Sequence, residues 1–140
     1  MAWEKHQKDL VLILARDVAA RLATPMFVVD ANGTLVFFNE AAEQVLGQTF
    51  ADTGELPVEE WASAFAPTDD AGQPIPLRKL PLGVALYEGR PDHATLSIQA
   101  ADGVSRELAV TAIPLRTHPD ELVGAVALFW SRSGPESALQ

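Results

Sequence analysis

Residues 25–47 read PMFVVDANGTLVFFNEAAEQVLG, which is two short apolar runs separated by a turn and followed by a helical run. The runs 26–29 and 35–38 are rich in β-branched and aromatic residues, a composition typical of strands. Asn32-Gly33 between them offers the two positive-φ positions that a tight primed turn needs. The stretch therefore predicts an antiparallel hairpin.

The helical run that follows the hairpin is bounded by two capping residues. Asn39 can accept hydrogen bonds from the free backbone N–H groups of the first helical turn. Gly47 can end the helix in a left-handed conformation. The predicted order is strand, turn, strand and capped helix.

This order resembles the beginning of PAS domains, where an apolar strand, an Asp, a Gly turn and a second strand precede the motif Asn-x-Ala-x-x-x-x-x-Gly. Each motif is common alone, so the resemblance rests on their order and spacing. It implies an α+β fold with a five-stranded antiparallel sheet, helices on one face and a role in sensing or signal transduction. The matching positions are Asp30, Gly33, Asn39, Ala41 and Gly47.

The resemblance extends to residue 129. Asp102-Gly103 predicts a turn between two strands, Pro114-Leu115 the end of the second strand, and Leu122 the start of the last. Beyond it, Phe129-Trp130-Ser131-Arg132 replaces the Asp-x-Thr with which PAS sensors that carry an effector usually close this strand. The chain is thus either a complete regulator or a piece of a longer signalling protein whose effector domain is missing.

Length and composition predict one domain with short flanking segments. A chain of 140 residues with 48% hydrophobic content fits a single core. We expect a flanking, dimerising helix within residues 1–23, a PAS-like domain at 24–130 and a flexible tail at 131–140. Residues 52–82 hold several Pro and Gly residues and predict loops, followed by a helix at about residues 77–88.

Charge and cysteine content exclude several classes of function. The net charge of −9 argues against nucleic acid or an anionic membrane as a partner, because both are bound through clustered Lys and Arg. The absence of Cys removes disulfides and thiolate chemistry. The apolar run at residues 10–14 is too short to cross a bilayer. We expect a cytoplasmic protein.

The N-terminal segment predicts an amphipathic helix over residues 9–22. Its apolar stripe must be buried, either on its own domain or on a second copy. The strands at 108–113 and 123–129 are apolar on both faces, so a helix is expected to cover the outer face of the sheet. Because many PAS domains dimerise through such a helix, the resemblance implies a homodimer, with an interface at Leu10, Val11, Leu14, Val18 and Leu22.

The resemblance also implies a ligand pocket between the helices and the inner face of the sheet. Small residues at 112 and 124 would leave volume there and favour a cavity. The large apolar residues of segment 57–87 would equally well fill it or form a lid, and both alternatives remain open. The predicted lining is Phe27, Val29, Leu96, Ile98, Leu108, Val110, Ala112, Gly124, Val126 and Leu128.

Flavin of the type bound by the LOV branch of the PAS family is excluded by this prediction. LOV domains hold the flavin ring with amide side chains, and a Cys attacks it. Here Ile98, Leu108 and Val126 stand at the positions that the resemblance assigns to the amides, and the chain has no Cys.

Haem and metal are also disfavoured. Some PAS sensors bind haem through a His on the helix predicted at 77–88, and this segment has no His. His6, His93 and His118 lie elsewhere. His118, Asp120 and Glu121 share one predicted turn, and such near neighbours rarely converge on an ion.

An apolar small molecule such as a fatty acid is therefore the expected guest, with Arg78, Lys79 or Arg90 binding a carboxylate head. No catalytic constellation is visible, so no enzymatic activity is predicted. Two functions remain open. One is a ligand-sensing module that signals through dimerisation or contacts with a signalling protein, and the other is a ligand-free interaction and dimerisation module.

Overall fold

The chain folds into one sheet with helices on both sides. The computed structural model describes residues 2–100 and 103–131, with side chains from residue 10 onward. The elements are α1 (Ala2–Arg21), β1 (Met26–Asp30), β2 (Leu35–Phe38), α2 (Glu40–Leu46), α3 (Phe50–Thr53), α4 (Val58–Ala64), a 3₁₀ turn (Leu77–Lys79), α5 (Pro81–Tyr87), β3 (Asp92–Gln99), β4 (Ser105–His118) and β5 (Glu121–Ser131).

The sheet has the strand order β2-β1-β5-β4-β3. Every neighbouring pair is antiparallel, and the last strand of the sheet in sequence, β5, lies at its centre between β1 and β4. The five-stranded antiparallel sheet and the α+β class are thereby confirmed. Because β5 is central, one of its faces lies at the base of each of the two hydrophobic clusters, one on either side of the sheet.

The turn between β1 and β2 differs from the predicted primed turn. Gly33 has a φ of 84°, but Asn32 does not have a positive φ. The Asp30 carbonyl accepts from Gly33 N, and Asp30 N donates to the Thr34 carbonyl, which closes a three-residue loop. The Asp30 carboxylate also accepts from Asn32 N at 2.9 Å and Thr34 N at 3.0 Å, so this side chain shapes the loop.

Both predicted caps of α2 are confirmed. Asn39 Oδ1 accepts from Ala42 N at 3.0 Å. Gly47 has a φ of 75° and its N–H donates to the Glu43 carbonyl. These caps depend on local sequence alone, which is why the sequence reveals them.

Strand β4 continues past the end predicted at Pro114 and reaches His118. The outer neighbour β3 begins at Asp92, which lies opposite Ala112, and does not extend further along β4 toward Pro114. Pro114 therefore has no β3 neighbour, and its missing N–H interrupts no hydrogen bond of the sheet. On its other side it pairs with Ala125.

The helix predicted at residues 77–88 is divided. Leu80 is extended and separates the 3₁₀ turn from α5, which begins at Pro81. Proline disfavours a helical conformation in the residue before it and fits the first position of a new helix, so Pro81 causes the break. Within the segment predicted as loops, residues 52–82, the short helix α4 forms as well, and α3 overlaps the start of that segment.

The inner face of β5 is one residue out of phase with the prediction. Ala112 pairs with Ala127, and Val110 with Phe129. Residues that pair directly across strands share a face of the sheet. The inner residues of β5 are therefore Ala125, Ala127 and Phe129, all of which belong to the main core.

Gly124, Val126 and Leu128 lie instead on the outer face, so their predicted inner position is wrong. Val126 and Leu128 pack in a second hydrophobic cluster beneath α1. A Cβ on Gly124 would lie 3.2 Å from Leu12 Cδ2 of that helix. Since a shift of one residue moves a whole strand to its other face, one wrong phase displaced all three residues together.

Helix α1 covers the outer face of the sheet with its own residues Leu12, Ala15 and Ala19. The predicted stripe is a different face of this helix: Leu10, Leu14, Val18 and Leu22 are exposed and Val11 is half-buried. The prediction that α1 covers the sheet is confirmed, whereas the residues that make this contact were missed. No helix in the described part of the chain is long and apolar enough to span a membrane.

Candidate functional site

An apolar cavity of about 70 Å³ lies between the inner face of the sheet and the helices. The sheet supplies its floor, while α2, α4, α5 and the segments that join them supply its walls and roof. Its lining is Phe27, Leu46, Trp61, Ala62, Phe65, Pro67, Leu80, Pro81, Leu82, Leu96, Ile98, Leu108, Val110, Ala127 and Phe129.

Aromatic rings form one wall of this cavity. The ring centroid of Phe27 lies 5.8 Å from that of Phe65 and 5.1 Å from that of Phe129, distances at which aromatic pairs attract each other. The one polar atom of Trp61 points elsewhere, because its Nε1–H donates to the Gly33 carbonyl at 2.7 Å. The cavity wall therefore offers a guest dispersion contacts and no hydrogen-bond partner among its side chains.

Five of the ten predicted lining residues line the cavity. They are Phe27, Leu96, Ile98, Leu108 and Val110. Val29 and Ala112 belong to the same inner core without touching the cavity. Gly124, Val126 and Leu128 lie behind the sheet, as described above.

The sequence reasoning missed Leu46, Ala127 and Phe129 as lining residues. The small floor residue that leaves room is Ala127, rather than the predicted Gly124. A correct pairing of Ala112 with Ala127 would have placed it, but the sequence offers no signal for that register because both faces of β5 are apolar.

None of the three basic residues predicted to hold a carboxylate lines the cavity. The Arg78 guanidinium carbon lies 4.2 Å from the ring centroid of Tyr87. Arg90 binds Glu88, with Nη2 to Oε1 at 3.1 Å. Lys79 is exposed on the 3₁₀ turn.

His93 and His118 do not line the cavity. His93 and His118 are exposed, and the side chain of His6 lies outside the described residues. Within residues 2–100 and 103–131, no group of three or more His, Asp and Glu residues is arranged to hold a metal ion.

Asn39 connects the cavity wall to helix α1. Its Oδ1 accepts from the backbone N of Met26 at 3.1 Å, one residue before the lining residue Phe27. Its Nδ2 donates to the carbonyls of Ala19 and Thr24, each at 2.9 Å. Among the residues that the structure describes, Asn39 is the one buried polar or charged side chain. The inner core, α2 and the end of α1 therefore share one hydrogen-bond network.

The outward face of α1 is an exposed apolar surface. Ile13 is 58% exposed and Leu14 54%, and Leu10, Val18 and Leu22 are exposed beside them. Scattered apolar residues are normal on protein surfaces, but four on α1 and a fifth, Leu22, directly after its last residue form a contiguous stripe. We call these five residues the α1 stripe.

Comparison with solved structures identifies the fold. A LOV protein from Rhodobacter sphaeroides superimposes with a TM-score of 0.69 and 20% identity, over 92% of this chain and 73% of that one. The PAS domain of the fruit-fly ELK potassium channel gives a TM-score of 0.69 with 9% identity, over 88% of this chain and 98% of the other. The PAS domain of nitrogen regulation protein NR(II) from Vibrio parahaemolyticus gives 0.59 and 18%, over 84% and 97%.

The chain therefore has the PAS fold, as the resemblance implied. No family model matches the sequence, and no curated protein does. At identities of 20% or less, these likenesses establish the architecture and leave the function to be argued from the site.

The comparisons do not support the exclusion of flavin, because LOV proteins are among the structures with this fold. The absence of flavin stays a prediction, which rests on the missing Cys and on an apolar cavity lining.

Proposed function

We propose that this chain is a PAS-type sensory and signal-transduction module that takes up an apolar small molecule in its cavity and signals through α1. The observation that carries the proposal is the cavity itself, an unfilled volume in the core whose lining is apolar throughout. Protein interiors are normally packed to the density of organic crystals, so a volume of this size at the sheet floor is a departure that a guest would fill.

Signalling through α1 is supported by the Asn39 network. A guest in the cavity would contact Phe27 of β1. The backbone of β1 donates a hydrogen bond to Asn39, and Asn39 in turn donates one to the end of α1. A ligand shifts an equilibrium only where it binds two states unequally. The two states proposed here are α1 docked tightly or loosely on the sheet.

Homodimerisation is the proposed output. The α1 stripe exposes apolar side chains that a second copy of the chain would bury. Contacts with a signalling protein, or with an effector domain in the same protein, would use the same surface. The proposal includes no catalytic activity, no flavin and no haem, and it places the protein in the cytoplasm.

A ligand-free interaction and dimerisation module is the second candidate. The small volume favours it, because an engineered cavity that binds benzene measures about 150 Å³. In this candidate the cavity is a packing defect and the α1 stripe alone carries the function.

Mass spectrometry of the purified protein tests the proposal. It is run under native conditions and again after denaturing organic extraction. The proposal predicts a dimer that releases a small compound on extraction. A dimer with no added mass would favour the interaction module, and a monomer with no added mass would contradict both candidates.

A further inference from the structure

The charges around the cavity restrict the kind of guest that it can take. Between Arg21 and Arg78 the sequence contains no Lys or Arg. This segment accounts for the whole net charge of the chain, −9. Its acidic residues are Asp30, Glu40, Glu43, Asp52, Glu55, Glu59, Glu60, Asp69 and Asp70, while acids and bases balance in the rest of the chain.

Two of the three lining residues of the cavity that reach solvent belong to this acidic segment. Of the lining residues only Ala62, Pro67 and Val110 are half-buried, and the others are buried. Ala62 lies on α4 and Pro67 follows that helix, whereas Val110 lies on β4; we take the side of Ala62 and Pro67 as the mouth of the cavity.

Four carboxylates lie within three residues of Ala62 or Pro67 along the chain. Glu59 precedes Ala62 by three residues on α4 and so lies next to it on the helix surface, whereas Glu60, two residues before Ala62, points to another side of the helix. Asp69 and Asp70 follow Pro67 closely. All four are exposed. The turn that holds Asp69 is fixed, because its Oδ1 accepts from Ala71 N and Gln73 N, each at 2.9 Å.

An anionic guest has no favourable position in this arrangement. If its carboxylate entered the cavity, the charge would lose its hydration among side chains that offer no hydrogen bond. If the carboxylate stayed at the mouth, it would be repelled by the nearby charges of Glu59, Asp69 and Asp70. Arg78, Lys79 and Arg90, the basic residues that the sequence predicts to bind a carboxylate, do not line the cavity.

We infer that the cavity selects small uncharged apolar molecules, or cationic ones whose charge stays at the mouth, and rejects carboxylates. This inference rests on the proposed function and replaces the fatty-acid guest expected from the sequence. A volume of about 70 Å³ limits the buried part of the guest to a few carbon atoms, unless wall side chains move.

Three ligands of equal chain length test the selection: 1-butanol, butyrate and n-butylammonium. Binding is followed by NMR of labelled alanine methyl groups, with Ala127 and Ala62 as reporters in the cavity and Ala20, exposed on α1, as the reference. Xenon, an uncharged atom that apolar cavities bind, tests whether the cavity accepts a guest at all.

The inference predicts that butanol and butylammonium shift the cavity methyls and that butyrate binds about tenfold more weakly or not at all. Added salt should weaken the binding of n-butylammonium and strengthen the binding of butyrate, because it screens the charges at the mouth. Glu59→Lys should narrow the difference in affinity between butanol and butyrate. Asp120→Lys, at the exposed β4–β5 turn, should leave that difference unchanged.

Two results overturn the inference while leaving the proposed function intact. One is butyrate binding as tightly as butanol, and the other is a xenon response with no response to butanol. If neither butanol nor xenon shifts the resonances of the cavity methyl groups, the proposed function itself fails.

Discussion

The side-chain amide of Asn39 donates a 2.9 Å hydrogen bond to the carbonyl of Ala19, twenty residues earlier and in the last turns of helix α1. Ala19 is fully buried against the outer face of the sheet. The same asparagine caps α2 with its oxygen. One side chain therefore fixes both the first helix of the inner layer and the docking of α1 on the outer layer.

Replacement of Asn39 by Asp should separate these two tasks. Aspartate keeps the oxygen that caps α2 but loses the Nδ2 donor to Ala19 and Thr24, and its charge would face their carbonyls. We expect α1 amides to exchange hydrogen much faster while amides of β5 keep most of their protection. Asn39→Ala, the matched variant, should lose the cap too and lower the free energy of unfolding by about 2–4 kcal/mol. Unchanged α1 exchange in Asn39→Asp would refute the link.

Ala127→Leu should fill the cavity at little cost. The added carbons enter empty volume, so we expect the free energy of unfolding to stay within about 1 kcal/mol of the wild type. Ala125 is the matched control, because it is inward-facing on the same strand but does not line the cavity. Ala125→Leu should overpack the core and cost about 1–3 kcal/mol, measured by urea unfolding. Equal losses in the two variants would argue against the cavity.

Gly124→Ala should disturb the pairing of β1 with β5 and spare the cavity. A Cβ there would overlap the Val29 carbonyl oxygen and lie 3.2 Å from Asp30 Cα, so the backbone must move. We expect a loss of about 1–3 kcal/mol in unfolding free energy. Because Gly124 faces α1, xenon should still shift the Ala127 methyl group in this variant. Loss of that response with the fold intact would restore Gly124 to the pocket.

Leu14→Lys with Val18→Lys should dissociate the proposed dimer. The two substitutions place charge on the α1 stripe and leave the buried residues Leu12, Ala15 and Ala19 untouched. We expect the dimer dissociation constant to rise at least about tenfold, measured by sedimentation velocity. Ala20→Lys, also exposed on α1, is the control. A wild-type monomer at micromolar concentration would rule out this output.

The purified protein should contain no flavin. Its cavity lining offers no side-chain hydrogen bond to a flavin ring, and no Cys is present to form an adduct. Visible absorption and fluorescence of the supernatant after denaturation measure bound flavin directly. Stoichiometric flavin in that supernatant would overturn this prediction and place the chain with the LOV proteins that share its fold.

The features that the sequence predicted correctly are those that depend on near neighbours. The caps at Asn39 and Gly47 and the strands on either side of Asp30 follow from residues a few positions apart. The phase of β5 does not, because residues 123–129 are apolar on both faces and only the pairing of Ala112 with Ala127 decides which face is inner. The packed face of α1 was missed for the same reason, since the apolar residues of that helix lie on more than one of its sides.

The most direct test of the central claim, that the cavity accepts an apolar guest, is the response of the cavity methyl resonances to xenon. The methyl groups of Ala127 and Ala62 report in the wild-type protein, and that of Ala62 reports in Ala127→Leu. The account predicts a saturable shift at Ala127 and Ala62, no shift at Ala20, and loss of the Ala62 response in Ala127→Leu. Cavity methyls that do not respond to xenon in the wild type would contradict the account.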